Sequence, residues 1–326
     1  MPAKHPVRYL SQDQTRSLLT WREVIDCLAA AYARADDPRA APPKVVARSD
    51  GMWLRALTAI SGSGEFMGAK IIAKGRPKGA DHLIALWDTR SGALAGLIAA
   101  KSVTAVRTAG TTAVAIDRIA PRKPLRVAVL GSGHEAATHV SALAVVRQLS
   151  ALAVYSPTSA NRERFAARFS DELSIPCRAA GTPREALEGA DLVIAAARSH
   201  DETPTLKGAW LTPGTMVVSI GSTVPEQREV DAEVVRRASV IVADVPDEVA
   251  HETGDMIAAR EAGVEFESRI VALADVVAGR VKVAQTAENI VLFKSVGSGL
   301  QDIVVSEMCL ALAEKHGVGT LLPLEG

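Results

Sequence analysis

Only three cysteines occur in 326 residues, Cys27, Cys177 and Cys309, too few and too scattered for a disulfide framework or a cysteine-bound metal. Their scarcity points to a reducing compartment. Net charge is equally lacking, since 37 Lys and Arg balance 37 Asp and Glu. Neither nucleic acid nor an anionic membrane is therefore expected as a partner on electrostatic grounds. No apolar run of about 18 residues occurs, and Met1 to Leu10 has no apolar signal-like core, so a soluble cytoplasmic protein is expected. The histidines show no metal-ligand spacing, and no metal site is expected.

What is present is ample core material, 48% hydrophobic residues, in a chain long enough for one large or two medium domains. The most telling stretch runs from Pro124 to Ala136. An apolar strand, Leu125 to Leu130, ends at Gly131-Ser132-Gly133, Ala136 takes the third small position, and an amphipathic segment follows from His134 to Leu149. A strand, a glycine turn and a helix in that order lay a dinucleotide pyrophosphate on a helix N-terminus. His134 and Glu135 open that helix beside the phosphates. In this reading Gly131 makes the turn, Gly133 admits the phosphate and Ala136 lets helix and strand pack closely.

Upstream, Ser11 to Ala35 reads as helical, with Thr20 as an N-cap, and Lys44 to Ala99 as short apolar strands of an antiparallel sheet. Ser102 to Ile119 reads as a helix capped by Ser102. Downstream, strands are expected at Leu125–Leu130, Ala151–Tyr155, Leu192–Ala196, Met216–Ile220 and Val240–Ala243, with helices between them. The fold class is α/β: a Rossmann doubly wound parallel sheet, residues 121–297, plus an α+β substrate-binding and dimerisation domain, residues 1–120 with 298–326. A last helix, about Ser298 to His316, returns to the first domain.

Dinucleotide folds commonly carry an acid at the end of the second strand for the ribose hydroxyls. Here that end reads Tyr155-Ser156-Pro157-Thr158-Ser159, with Arg162 close by. Ser156, Thr158 and Arg162 suit a 2′-phosphate, so NADP or NAD is expected, with a lean to NADP. Ala196 and Gly221 close later strands at the edge where ligands of such sheets bind, and Ser222 follows Gly221.

Several segments together resemble the ornithine cyclodeaminase/mu-crystallin family. They are Met67-Gly68-Ala69-Lys70, Thr104-Ala105-Val106-Arg107-Thr108-Ala109-Gly110-Thr111, Val129 to Gly133, Glu188-Gly189-Ala190-Asp191, Thr212-Pro213-Gly214, Ile220-Gly221-Ser222 with Pro225 and Glu229, and Phe293-Lys294-Ser295-Val296-Gly297 with Asp302. The resemblance implies a homodimer, a small-molecule α-amino or α-imino acid substrate, and Lys294 and Gly297 near the cofactor. It also implies that Arg107 binds the substrate carboxylate and that Lys70 is an active-site lysine. Chemistry supports both, because a guanidinium can hold a carboxylate as a fork, and a lysine inside an apolar strand can be shifted into proton-transfer range.

Two departures matter. Lys44 stands where many relatives carry a carboxylate-binding arginine. Thr223 stands where cyclodeaminases carry an aspartate that handles the substrate amine. Arg55 likewise lies near a place where an acid could receive the distal ammonium of a diamine. The expectation is therefore an NAD(P)H-dependent reductase of cyclic α-imino acids of the pyrroline- or piperideine-2-carboxylate type, with Lys70, Arg107, Lys44 and Thr223 at the reacting end. Ornithine cyclodeaminase or a related amino-acid dehydrogenase, and a non-catalytic NADP-binding protein of crystallin type, remain alternatives.

Overall fold

The computed structural model describes residues 6–35, 37–76 and 79–323. It divides into two compact units, one formed by residues 1–111 and 297–326 and the other by residues 112–296.

The first unit starts with β1 (Val7–Leu10), α1 (Gln12–Leu18) and α2 (Trp21–Arg34). The expected Ser11–Ala35 helix is thus two helices. Ser11 makes a reciprocal capping box with Gln14, and Thr20 restarts the chain by accepting from the Glu23 amide. Next come β2 (Val45–Ser49), β3 (Met52–Ile60), β4 (Phe66–Lys74), β5 (Ala80–Asp88), β6 (Leu94–Ala99) and α3 (Lys101–Ile119). Ser102 is not the helix cap, because α3 already begins at Lys101. The Ser102 amide instead bonds Gln12 Oε1 at 2.8 Å.

The strands β2 to β6 form the expected antiparallel meander, extended by two unforeseen strands. β1 pairs parallel to β6, and the later β15 pairs antiparallel to β1. The pleat gives the sheet two faces. Leu57, Lys70, Ile84 and Ile98 form one cross-strand row on the inner face, and Val46, Arg55, Ile72 and His82 form the next.

The second unit begins with β7 (Leu125–Leu130), α4 (His134–Val146), β8 (Leu149–Tyr155), α5 (Ser159–Leu173) and β9 (Cys177–Ala179). It continues through α6 (Pro183–Ala186), β10 (Leu192–Ala195), β11 (Met216–Ser219), α7 (Ala232–Arg237), β12 (Val240–Ala243), α8 (Pro246–Glu252), α9 (Gly254–Glu261), β13 (Ile270–Ala272), α10 (Leu273–Val277) and β14 (Val291–Lys294). The strands are parallel, in the order β13-β12-β14-β11-β10-β7-β8-β9. Helices cover both faces of such a sheet, so its strands are buried on both sides and read as continuous apolar runs. β10 and β11 are buried at every position. The chain then returns to the first unit as α11 (Gly299–His316) and β15 (Thr320–Leu322).

Candidate active site

In the first unit, one carboxylate gathers two cations. Lys70 comes from the middle of β4, Arg107 from α3 and Asp302 from the first turn of α11. Lys70 Nζ and Arg107 Nε each donate to Asp302 Oδ1 at 3.0 Å. Arg107 Nη1 also donates to Gln301 Oε1 at 2.7 Å, and the Gln301 amide donates to the Tyr32 hydroxyl at 2.8 Å. Lys70 and Asp302 are wholly buried and Arg107 nearly so. Asp302 Oδ2 has no hydrogen-bond partner.

A cation without exposure is costly, and burial drives the Lys70 ammonium down to about 8, with Asp302 holding it up and Arg107 adding to the fall. Lys70 therefore stays mostly protonated at neutral pH yet can give up its proton. Gly297, whose positive φ of 80° suits glycine, lies close to the Arg107 guanidinium. A Cβ there would lie 2.5 Å from Arg107 Nη1.

His82 lies in the row beside Lys70. Its Nδ1 lies 3.3 Å from Thr104 Oγ1, and that hydroxyl donates its own proton to Ala100 O. The ring must therefore donate through Nδ1, which leaves Nε2 as an acceptor. Burial and Lys70 push the ring down to about 4, so it is neutral at working pH. Arg55 shares this face by register. Lys44 is half-buried just ahead of β2.

The second unit carries the glycine turn. Gly131 has φ 115°, and a Cβ there would sit 2.8 Å from Ala196 O, so only glycine fits between β7 and the end of β10. Gly133 is the N-cap of α4 and has open space around it. It provides no side-chain cap, so the first amides of α4 stand ready for an anion, with exposed His134 and Glu135 beside them. Ser132 Oγ bonds Ser156 Oγ at 2.8 Å across the ends of β7 and β8. Arg162 donates to Ser156 O at 2.8 Å and lies over the Tyr155 ring, while Thr158 is exposed at the same strand end. The cradle of Gly131, Gly133 and the uncapped helix fits a dinucleotide pyrophosphate.

Gly221, Ser222 and Thr223 follow β11. The Ser222 hydroxyl donates to Gln227 O, and the Thr223 amide donates to Gln227 Oε1. Beneath them lies a buried charged network. Lys294 Nζ donates to Asp255 Oδ2 at 2.8 Å and to Ser219 Oγ at 2.9 Å. Ser219 Oγ, with its own proton, donates to Glu229 Oε2 at 2.6 Å. Lys294 is wholly buried in this network.

The family model described as ornithine cyclodeaminase/mu-crystallin matches residues 8–315. The chain belongs to this family. It is 23% identical over 320 residues to a Bacillus cereus Δ1-pyrroline-2-carboxylate reductase, covering 95% of this chain and 98% of the relative. It is 27% identical over 225 residues to the mouse ketimine reductase mu-crystallin, covering 69% of this chain and 67% of that one. A solved Thermococcus litoralis Δ1-pyrroline-2-carboxylate reductase, in complex with NADH and L-proline, superposes with a TM-score of 0.89 at 28% identity. That match covers 97% of this chain and all of the other, 100%. Within the family fold, Lys70 and Arg107 are the cations brought together. The acid that unites them, Asp302, stood in the sequence only as a motif residue. The signal that marks it is a Gln301-Asp302 pair inside an otherwise apolar stretch of α11.

Proposed function

We propose that this protein is an NAD(P)H-dependent reductase of cyclic α-imino acids of the pyrroline- or piperideine-2-carboxylate type. The observation that carries the reading is the convergence of Lys70 and Arg107 on Asp302, in a chain whose residue 223 is threonine rather than an acid. Arg107 binds the substrate carboxylate, with Lys44 as a second, point-charge contact. Lys70, protonated at neutral pH, donates to the imine nitrogen. Gly131, Ser132, Gly133 and the amides of α4 hold the pyrophosphate, and Ser156, Thr158 and Arg162 leave room for a 2′-phosphate. A bound reduced nicotinamide supplies the hydride that the C=N carbon accepts. Without an acid at Thr223, nothing there holds a substrate ammonium by charge, which favours imine reduction over cyclodeamination.

The outer face of the first unit's sheet supports a homodimer. Val45, Leu54 and Leu83 lie on that face and are 73%, 49% and 41% exposed. A contiguous apolar face of this kind calls for a partner surface, and a second copy fits it. The test of the catalytic reading is NADH and NADPH oxidation with both ring sizes of cyclic ketimine. Absence of turnover with either ring overturns it.

A further inference from the structure

We propose that the Glu229 carboxylate reads the charge of the nicotinamide, favouring the oxidised, cationic cofactor when ionised and remaining indifferent to the reduced one. The inference rests on the reading of the second unit as a nicotinamide-dinucleotide domain.

Glu229 is wholly buried, and its two oxygens are used very unequally. Oε2 accepts from Ser219 Oγ at 2.6 Å and from the Ile220 and Gly221 amides at 2.9 Å each. Oε1 has no hydrogen-bond partner. A Cβ on Gly221 would lie 2.4 Å from Oε1, so the bare oxygen sits directly beneath a residue without a side chain. Gly221 itself is only partly buried, and it follows β11 at the C-terminal edge of a parallel sheet, where ligands of such sheets bind. The carboxylate thus lies against Gly221 at that edge, with the Arg198 stem beside it.

The charges around it leave Glu229 in excess. Lys294 of β14 is paired with Asp255 of α9, and those two cancel. Asp255 Oδ1 accepts the Glu229 backbone amide at 2.7 Å, which fixes the residue but does not neutralise its side chain. After β10, Arg198 passes its methylene stem near Gly221, and its guanidinium is paired with Glu202. The preceding residue, Arg228, donates its amide to Glu202. The network of Lys294, Asp255 and Glu229 is neutral when Glu229 carries a proton and anionic when it does not. Burial pushes Glu229 up to about 7, against the opposing pull of Lys294 and the hydrogen bonds to Oε2. A group balanced so near neutrality responds to a nearby unit charge. The oxidised nicotinamide ring carries such a charge and the reduced ring does not, while the rest of the two cofactors is identical. The ratio of their dissociation constants therefore isolates the ring.

The test is titration of oxidised and reduced cofactor, NAD or NADP, by fluorescence and calorimetry from about pH 6 to pH 8.5. In the wild type the preference for the oxidised form should rise roughly tenfold across this range, a coupling of about 1.4 kcal/mol between the carboxylate and the ring charge. Binding of the oxidised form near pH 7 should release a proton. In Glu229→Gln the ratio should be flat and the proton release absent. Ser219→Ala, which removes a hydrogen bond to the ionised carboxylate, should move the inflection to higher pH and serves if the glutamine variant fails to fold. A pH-independent ratio in the wild type overturns the proposal, as does an unchanged profile in Glu229→Gln or an unmoved inflection in Ser219→Ala. If neither cofactor binds, the dinucleotide reading falls with it. If both bind with a constant ratio, only the role of Glu229 falls.

Discussion

Lys70 Nζ and Arg107 Nε share one oxygen, Asp302 Oδ1, at 3.0 Å each, inside the first unit. One carboxylate between two buried cations leaves a net positive charge, suited to a substrate carboxylate. It also leaves Asp302 as the group on which the arrangement depends. Asp302→Asn should destabilise the protein by about 3–5 kcal/mol in denaturant unfolding, because two buried cations lose their counter-charge. A variant as stable as the wild type would show that the pair is not structurally required.

The protonation of Lys70 should be visible in the rate. Its ammonium sits at about 8 rather than 10.5, and the proposed reaction uses the protonated form. Hence kcat/KM for a cyclic ketimine should be level below that pH and fall above it. Asp302 raises the Lys70 value, so in Asp302→Asn the fall should begin at lower pH. A profile level to about pH 10 would remove Lys70 from the proton-transfer step.

Arg107→Ala should raise KM and lower kcat/KM about a hundredfold, corresponding to roughly 3 kcal/mol for a lost charge-assisted contact. Cofactor affinity, measured by nucleotide fluorescence, should stay within about twofold. Gly297→Ala should cause a milder version of the same defect, because the added methyl presses on the guanidinium. Loss of cofactor affinity in Arg107→Ala would place the residue elsewhere in the reaction.

Gly131→Ala should do the reverse. Its positive φ and the close approach of Ala196 O leave no place for a methyl, at a strain of about 1–3 kcal/mol. Cofactor binding should weaken severely while the Lys70–Asp302 pair is untouched. Normal cofactor affinity would argue against pyrophosphate binding at this turn.

Leu54→Arg together with Leu83→Glu places charges on the exposed outer sheet face. Light scattering should report a monomer for this variant and a dimer for the wild type. A wild-type monomer would contradict the role assigned to that face.

Much of this was legible in the sequence, for identifiable reasons. The β7 strand, Gly131 turn and α4 are legible because an apolar run interrupted only by the exposed Arg126 ends at glycine and leads into a helix. Lys70 and Arg107 are marked by the family resemblance, and their apolar or small-residue surroundings suit the roles it implies. β1 and β15, four and three residues long, carry too few alternations to be seen, and both exist through pairing with distant strands. Ser102 reads as a cap in the sequence because Gln12, which accepts from its amide, lies 90 residues away. Asp302 as the common acceptor was hidden for the same reason, lying 232 residues from Lys70 and 195 from Arg107. Contacts of that span are products of the fold and leave no local pattern.

Imine reduction and cyclodeamination are separated by following cofactor oxidation with pyrroline-2-carboxylate and piperideine-2-carboxylate, alongside ornithine with oxidised cofactor and an ammonia readout. NADH or NADPH should be oxidised with a cyclic ketimine, and ornithine should release no ammonia. Ammonia and proline from ornithine, with neither ketimine reduced, would contradict imine reduction as the reaction.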